Sequence, residues 1–161
     1  MARQDAAEAF WRFSLMVYGR PGVAEALIRL QDRGGHNVNL VLFGLWVALC
    51  EGARLDIAAL SRAKETMVVL DRDLVAPLRR LRRGLKKNDD PDVRDLRRRV
   101  LAIEIAAERR VQARLAASVA GRQRRNRVAD RHAACDANLR LILGSDFASE
   151  EAELLRRTVA A

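Results

Sequence analysis

Residues 37–50 read NVNLVLFGLWVALC, and this stretch decides the fold of the chain. It contains no charged residue, and after its first three positions it is apolar without interruption. Leu42, Leu45 and Leu49 recur at the spacing of one helix face, and the other positions are nearly as apolar. A helix that is apolar almost all round belongs in a protein interior. The pattern therefore predicts a central, buried helix over about residues 37–52.

The composition of the whole chain favours further helices around that central one. Half of the 161 residues are hydrophobic and 32% are charged, which is typical of a soluble globular domain. There are only three prolines and nine glycines, while Ala, Leu and Arg dominate. No strand pattern, repeat or linker is visible. We therefore predict a single all-α domain over residues 1–161, an irregular bundle of about six to seven helices.

Glycines, prolines and capping residues divide the chain into these helices. Asp56 is the expected N-cap of the fourth helix. Pro77 should interrupt that helix near residues 73–77, because proline donates no backbone hydrogen bond and clashes with the preceding turn. GRQRRNR at 121–127 is predicted to be an exposed basic turn. The predicted helices cover residues 5–18, 23–32, 37–52, 56–87, 91–120, 128–143 and 149–160.

Polar side chains crowd the turn between the second and third predicted helices. Asp32 stands at a helix C-terminus, where a carboxylate opposes the helix dipole, so it should have a compensating partner. In one interpretation Asp32 only caps the start of the central helix, with Asn37 or Asn39 sharing that role. In the other, Gln31, Asp32 and Asn39 line a cleft with aromatic walls, since six of the seven aromatic residues lie between positions 10 and 46. The candidate contact patch consists of Trp11, Tyr18, Gln31, Asp32, Asn39 and Trp46.

Positive charge concentrates in the middle of the chain. The net charge is +9, and residues 79–133 hold eighteen basic and seven acidic side chains. The Arg-rich helix 79–87 and the 122–127 turn offer cations that suit phosphate groups. Against this, cations at a helix C-terminus complement its dipole, and the aspartates that begin the next helix could neutralise them. The candidate anion-binding residues are Arg79, Arg82, Arg83, Lys86, Arg122, Arg124 and Arg125.

Catalytic and metal-binding patterns are poor in this sequence. The chain has two histidines, His36 and His132, and neither belongs to a spaced set of metal ligands. Glu104 and Glu108 share one helix face, but a di-iron bundle would need Glu-x-x-His pairs that the chain lacks. No phosphate-binding glycine loop or nucleophile elbow is present. We therefore predict no catalytic residue, no metal site, no cofactor and no enzyme activity.

The setting of the protein can also be inferred from its sequence. The N-terminal stretch is not a secretion signal, and the longest uncharged run is too short to span a membrane. Cys50 and Cys135 follow no redox or metal spacing, so a reduced cytoplasmic environment is expected. The alanine-rich helix after residue 91 could pack against a second subunit or against its own core, which leaves the oligomeric state open.

Two segments resemble a known family. Residues 10–46 read FWRFSLMVYGRPGVAEALIRLQDRGGHNVNLVLFGLW, and residues 75–86 read VAPLRRLRRGLK. Together with the region of Glu104 and Glu108, they resemble a family of uncharacterised bacterial all-helical proteins over most of residues 9–115. The resemblance implies a small cytoplasmic bacterial protein. It brings no known activity, cofactor or catalytic residue.

These observations favour a cytoplasmic, non-enzymatic binding or accessory protein. In the preferred hypothesis it contacts a protein partner through the polar-aromatic patch at the turn before the central helix. The alternative is binding of a nucleic-acid backbone through the 79–87 helix and the 122–127 turn. No aromatic residue lies between Trp46 and Phe147, so base stacking on that basic region is not expected.

Overall fold

The structure is a computed structural model that describes residues 2–119 and 128–160, and the predicted turn at 121–127 lies outside these ranges. The described residues form helices and contain no strand. The all-α prediction is therefore confirmed, with seven helical rods if the bent α4–α5 helix is counted once. The helices are α1 (Ala2–Tyr18), α2 (Val23–Gly34), α3 (Val38–Leu49), α4 (Ile57–Leu70), α5 (Ala76–Gly84), α6 (Pro91–Val119), α7 (Arg131–Leu143) and α8 (Glu150–Ala160).

Helix α3 lies at the centre of the fold. Every residue from Asn39 to Ala48 is buried, and α3 packs against α7, α6, α1 and α2. Phe10 of α1 contacts Phe43 and Trp46 of α3, with ring centroids 5.9 and 5.1 Å away. Burying one such side chain stabilises a fold by ~1.5–3 kcal/mol. The central buried helix predicted from residues 37–52 is confirmed.

Side-chain caps set where several helices begin. Asn37 Oδ1 accepts a hydrogen bond from Leu40 N–H at 3.2 Å, which caps α3. Asp56 Oδ1 accepts one from Ala59 N–H at 2.6 Å, as predicted for the fourth helix. Asp130 caps α7 in the same way, so this helix begins three residues later than the pattern predicted. Each such cap is worth ~1 kcal/mol, because it satisfies a backbone N–H that the helix itself leaves unpaired.

A π-helical turn, Asp71–Val75, joins α4 to α5. Ala76 N–H donates to the carbonyl of Asp71, five residues earlier. Pro77 explains the wide turn, because it has no N–H for the carbonyl four residues before it and its ring would clash there. The interruption predicted near residues 73–77 is thus a π turn, and one extra residue per turn rotates everything that follows by about 100°.

The long helix α6 packs along one side of the fold against four other helices. It packs against α1, α4, α5 and α3, while α8 packs against α2.

Within the described residues, no helix combines the length and apolar character that crossing a membrane requires.

Asn138 of α7 connects three parts of the core and was missed in the sequence pattern. It is fully buried, and its Nδ2 donates to the carbonyls of Gly44 at 2.9 Å and Ala53 at 3.3 Å. Its Oδ1 accepts a hydrogen bond from Leu55 N–H at 2.7 Å. Gly44 lets α7 approach α3 closely, since a Cβ there would lie 2.5 Å from Ile142 Cδ1. One amide therefore ties α7 to α3 and to the loop before α4.

Replacing Asn138 should destabilise the fold strongly. Asn138→Ala leaves up to three buried backbone groups without partners, so the free energy of unfolding should fall by ~2–4 kcal/mol. Urea denaturation measures this change. The control is Asn88→Ala, at an exposed position where the side chain accepts one local hydrogen bond from Asp90 N–H. Equal effects of the two substitutions would contradict the assigned role of Asn138.

Candidate binding groove

A groove of about 320 Å³ opens where α1, α2, α3, α5 and α6 meet. Its walls are largely apolar: Trp11, Leu15 and Tyr18 line it from α1, and Leu101 and Ile105 line it from α6. Four of these five side chains are substantially exposed to solvent, although the rest of the domain has a well-buried core. Exposed apolar side chains gathered around one concavity are typical of a binding surface.

The floor of the groove is a network of charged side chains centred on Glu104. This residue is only 3% exposed. Arg82 donates to both of its carboxylate oxygens, from Nε at 2.5 Å and from Nη2 at 3.1 Å. Arg79 donates from Nε to Glu104 at 3.4 Å, from Nη2 to Glu108 at 2.6 Å and from Nη1 to Gln31 Oε1 at 2.7 Å. The network therefore joins α5, α6 and α2.

Burial of Glu104 requires this pairing. A carboxylate removed from water is costly unless cations and hydrogen bonds replace its hydration. Arg79 and Arg82 supply both, and their side chains are consequently only 18% and 23% exposed. Among the candidate anion-binding residues at 79–86, Arg79 and Arg82 form the groove floor. Arg83 lies at the rim of the groove, and Lys86 is exposed.

Charge within the groove and at its rim is balanced. Arg83 contacts Asp32 Oδ1 at 3.4 Å, so three of the four arginines of α5 face three carboxylates. The hydrogen bond from Gln31 is the largest cause of the lowered pKa of Asp32; desolvation opposes it, and the charge of Arg83 adds to the lowering. Burial raises the pKa of Glu108, and Arg79 opposes that effect. Burial also raises the pKa of Tyr18.

Two buried polar atoms at the groove have no hydrogen-bond partner among the described residues. Gln112 Nε2 donates to Asn39 Oδ1 at 2.8 Å, but Gln112 Oε1 is unpartnered. Ser14 Oγ is unpartnered as well. Ser14 and Gln112 are both 3% exposed, and both line the groove. Buried polar groups are rarely left in this state, because each costs ~1–3 kcal/mol.

The predicted contact patch is largely, but not wholly, assembled at this groove. Trp11, Tyr18, Gln31 and Asn39 all line it. Asp32 sits at the rim, where it pairs with Arg83 instead of capping α3, a role that Asn37 fills. Trp46 lies elsewhere: it is 1% exposed and packs in the aromatic cluster with Phe10 and Phe43. The reason is that α3 is buried on all sides, so its aromatic rings enter the core.

Of the described candidate anion-binding residues, Arg79, Arg82 and Arg83 line the groove and Lys86 does not. Arg79 and Arg82 point into the groove, and Arg83 is paired at its rim. The partners that neutralise them come from Glu104 and Glu108 in the middle of α6 and from Asp32, and the structure does not use the aspartates at the start of α6 for this purpose. Arg122, Arg124 and Arg125 lie outside the described residues.

Sequence reasoning did not identify Ser14 and Gln112 as groove residues. A signal for Gln112 was nonetheless present, because Glu104, Glu108 and Gln112 recur every four residues and so share one helix face. A signal for Ser14 was present as well, because Trp11, Ser14 and Tyr18 recur at steps of three and four residues and so share one face of α1. Among the described residues, no group of three or more His, Cys, Asp or Glu side chains could hold a metal ion.

The raised pKa of Glu108 can be tested directly. Carboxyl carbon NMR should show Glu108 titrating above its ordinary value of 4.5 and Asp32 titrating below its ordinary value of 3.8. Because folding raises the pKa of Glu108, its contribution to stability is greatest at low pH and is lost as the pH rises through the raised pKa. Glu108→Gln should remove that part of the pH dependence. Titration of Glu108 at or below 4.5 would contradict its burial beside Tyr18.

Comparison with known proteins identifies the family and nothing further. Residues 9–115 match a family described as a protein of unknown function, DUF2390. No curated protein and no solved structure matches the chain. The matched range includes every residue that lines the groove, from Trp11 to Gln112. The chain belongs to the DUF2390 family.

Proposed function

We propose that this chain is a cytoplasmic, non-enzymatic accessory protein that binds a protein partner through the groove. The observation that carries the proposal is the pair of unpartnered buried atoms, Ser14 Oγ and Gln112 Oε1, at the base of an apolar-walled groove. A chain selected only for its own stability would gain by losing them, since an unpaired buried polar group is destabilising. A partner that supplies the missing hydrogen bonds would remove this cost in the complex.

The charged floor supports binding because it is already ordered. Arg79 and Arg82 are each held by more than one hydrogen bond, so neither side chain needs to be immobilised when a partner arrives. Preorganisation of this kind lowers the entropy cost of association.

The shape of the groove favours a protein over a free small molecule. Drug-sized ligands are usually enclosed over most of their surface. Here the walls remain open, with Leu15, Tyr18 and Ile105 exposed along the rim. A partner that covers the rim as well as the floor would bury this apolar surface, which is the main driving force in protein association.

The groove proposal predicts which surface substitutions abolish binding. Leu15 is 56% exposed and lines the groove, whereas Leu96 is equally accessible, at 51%, on α6 outside the groove lining. Leu15→Glu places a charge against the apolar wall, so affinity purification from the native host should lose partners that the wild type retains. Leu96→Glu is the matched control and should retain them. Both variants should melt within a few degrees of wild type, because exposed substitutions are usually worth under ~0.5 kcal/mol. Unchanged partners with Leu15→Glu would overturn the proposal.

The phosphate-binding alternative has a separate test. Three of its four described cations already pair with carboxylates, and the fourth is Lys86, which is exposed. The expected outcome is therefore no tight binding to a DNA duplex or a structured RNA at low salt. Affinity that falls steeply with salt, and less steeply in Arg83→Ala with Lys86→Ala, would instead support the alternative.

A further inference from the structure

The following inference rests on the proposed function and concerns what the partner inserts into the groove. We infer that the inserted group is an uncharged aromatic ring bearing an O–H or N–H donor, the side chain of a tyrosine or a tryptophan of the partner protein. Four features of the groove lead to this chemistry: its size, its walls, its charge balance and the polarity of its unpartnered atoms.

The size and the walls fit an aromatic ring. An apolar cavity of about 150 Å³ takes up a benzene ring, so a groove of about 320 Å³ has room for a phenol or an indole. Trp11 and Tyr18 on one wall offer ring faces and edges for offset or edge-to-face stacking. Leu101 and Ile105 on the other wall offer aliphatic contact. A flat group between these walls would bury apolar surface on both of its faces.

The charge balance argues against an ionised group. Arg79 and Arg82 are neutralised by Glu104 and Glu108, and Arg83 at the rim is neutralised by Asp32. A carboxylate or an ammonium in the groove would lose its hydration without gaining an opposite charge that is free to pair with it. An uncharged polar group avoids that cost.

The unpartnered atoms require a hydrogen-bond donor on the inserted group. Gln112 Oε1 is a carbonyl oxygen, so it can only accept a hydrogen bond, and its Nε2 is held by Asn39. Ser14 Oγ can donate or accept. A tyrosine O–H can donate to Gln112 and accept from Ser14, and an indole N–H can donate to either. A phenylalanine ring would fill the same space but leave Gln112 Oε1 buried and unpaired.

Two probes that differ by one hydroxyl test this inference. N-acetyl-tyrosinamide should bind the full-length chain roughly three- to tenfold more tightly than N-acetyl-phenylalaninamide, the value of one neutral hydrogen bond. The chain has only two tryptophans, which makes indole N–H signals in ¹H–¹⁵N NMR easy to assign. The Trp11 signal should shift with probe concentration, while the signal of Trp46, buried in the core, serves as the internal reference.

Variants of Ser14 and Gln112 test whether Ser14 Oγ and Gln112 Oε1 cause the preference for the tyrosine probe over the phenylalanine probe. Ser14→Ala and Gln112→Met should each reduce the ratio between the two probes, and the doubly substituted chain should bring it close to one. Ser14→Ala should fold at least as well as wild type, since it removes an unpaired hydroxyl. Ser61→Ala is the matched control, because Ser61 is an exposed serine on α4 whose hydroxyl donates to Glu65. A ratio that is unchanged in Ser14→Ala and Gln112→Met would overturn the inference.

Two further probes separate the alternatives. If 4-ethylphenol shifts Trp11 but N-acetyl-tyrosinamide does not, the occupant is a free phenolic compound and the assignment to a partner side chain is wrong. If 3-phenylpropionate binds as tightly as N-acetyl-tyrosinamide, the requirement for an uncharged group is wrong. If the tyrosine and phenylalanine probes bind equally at Trp11, the donor requirement fails while the groove remains a binding site. Failure of the proposed function has a separate readout: Leu15→Glu would then retain all the partners that the wild type binds.

Discussion

The Glu104 carboxylate is buried on α6 and shared by two arginines of α5, and the groove exists because of that pairing. Removing either arginine would leave the carboxylate buried without one of its partners. Breaking a buried ion pair in this way destabilises a fold by ~3–5 kcal/mol. Arg79 extends the same network to Glu108 and to Gln31 of α2. The network therefore links α5, α6 and α2 beneath the apolar walls of the groove.

The π turn before α5 determines which way those arginines point. Pro77 removes one helical hydrogen bond, and the chain responds with the wide turn Asp71–Val75. In an uninterrupted helix, Arg79 and Arg82 would be rotated by about 100° from their present direction relative to α4. Glu104 would then face a different side of α5. Pro77 and its π turn therefore determine whether Arg79 and Arg82 reach Glu104. π turns inside helices are frequent at functional sites.

The features that could be predicted from the sequence were those that local physics determines. The apolar run from Asn39 to Ala48 has no stable position except the core, and Asp56 caps a helix by its own backbone geometry. Partners across the fold could not be predicted in this way. Whether Arg82 meets solvent or Glu104 depends on the rotation of α5, and whether Trp46 meets a cleft or the core depends on which helices surround α3. Asn138 was missed for the same reason, because its three partners lie about ninety residues away in the chain.

The buried amide of Asn138 contrasts with the buried polar groups of Ser14 and Gln112 in the groove. The Asn138 amide has two donors and a carbonyl oxygen engaged with backbone groups of the core. Ser14, with its single hydroxyl, and Gln112, with its carbonyl oxygen, are just as inaccessible but lack such partners among the described residues. Trp46 Nε1, Asp71 Oδ1, Arg97 Nε and Arg156 Nε are unpartnered too, and none of these four residues lines the groove. Ser14 and Gln112 differ from those four residues because both line one apolar-walled groove, which is why we propose that a bound molecule supplies their missing hydrogen bonds.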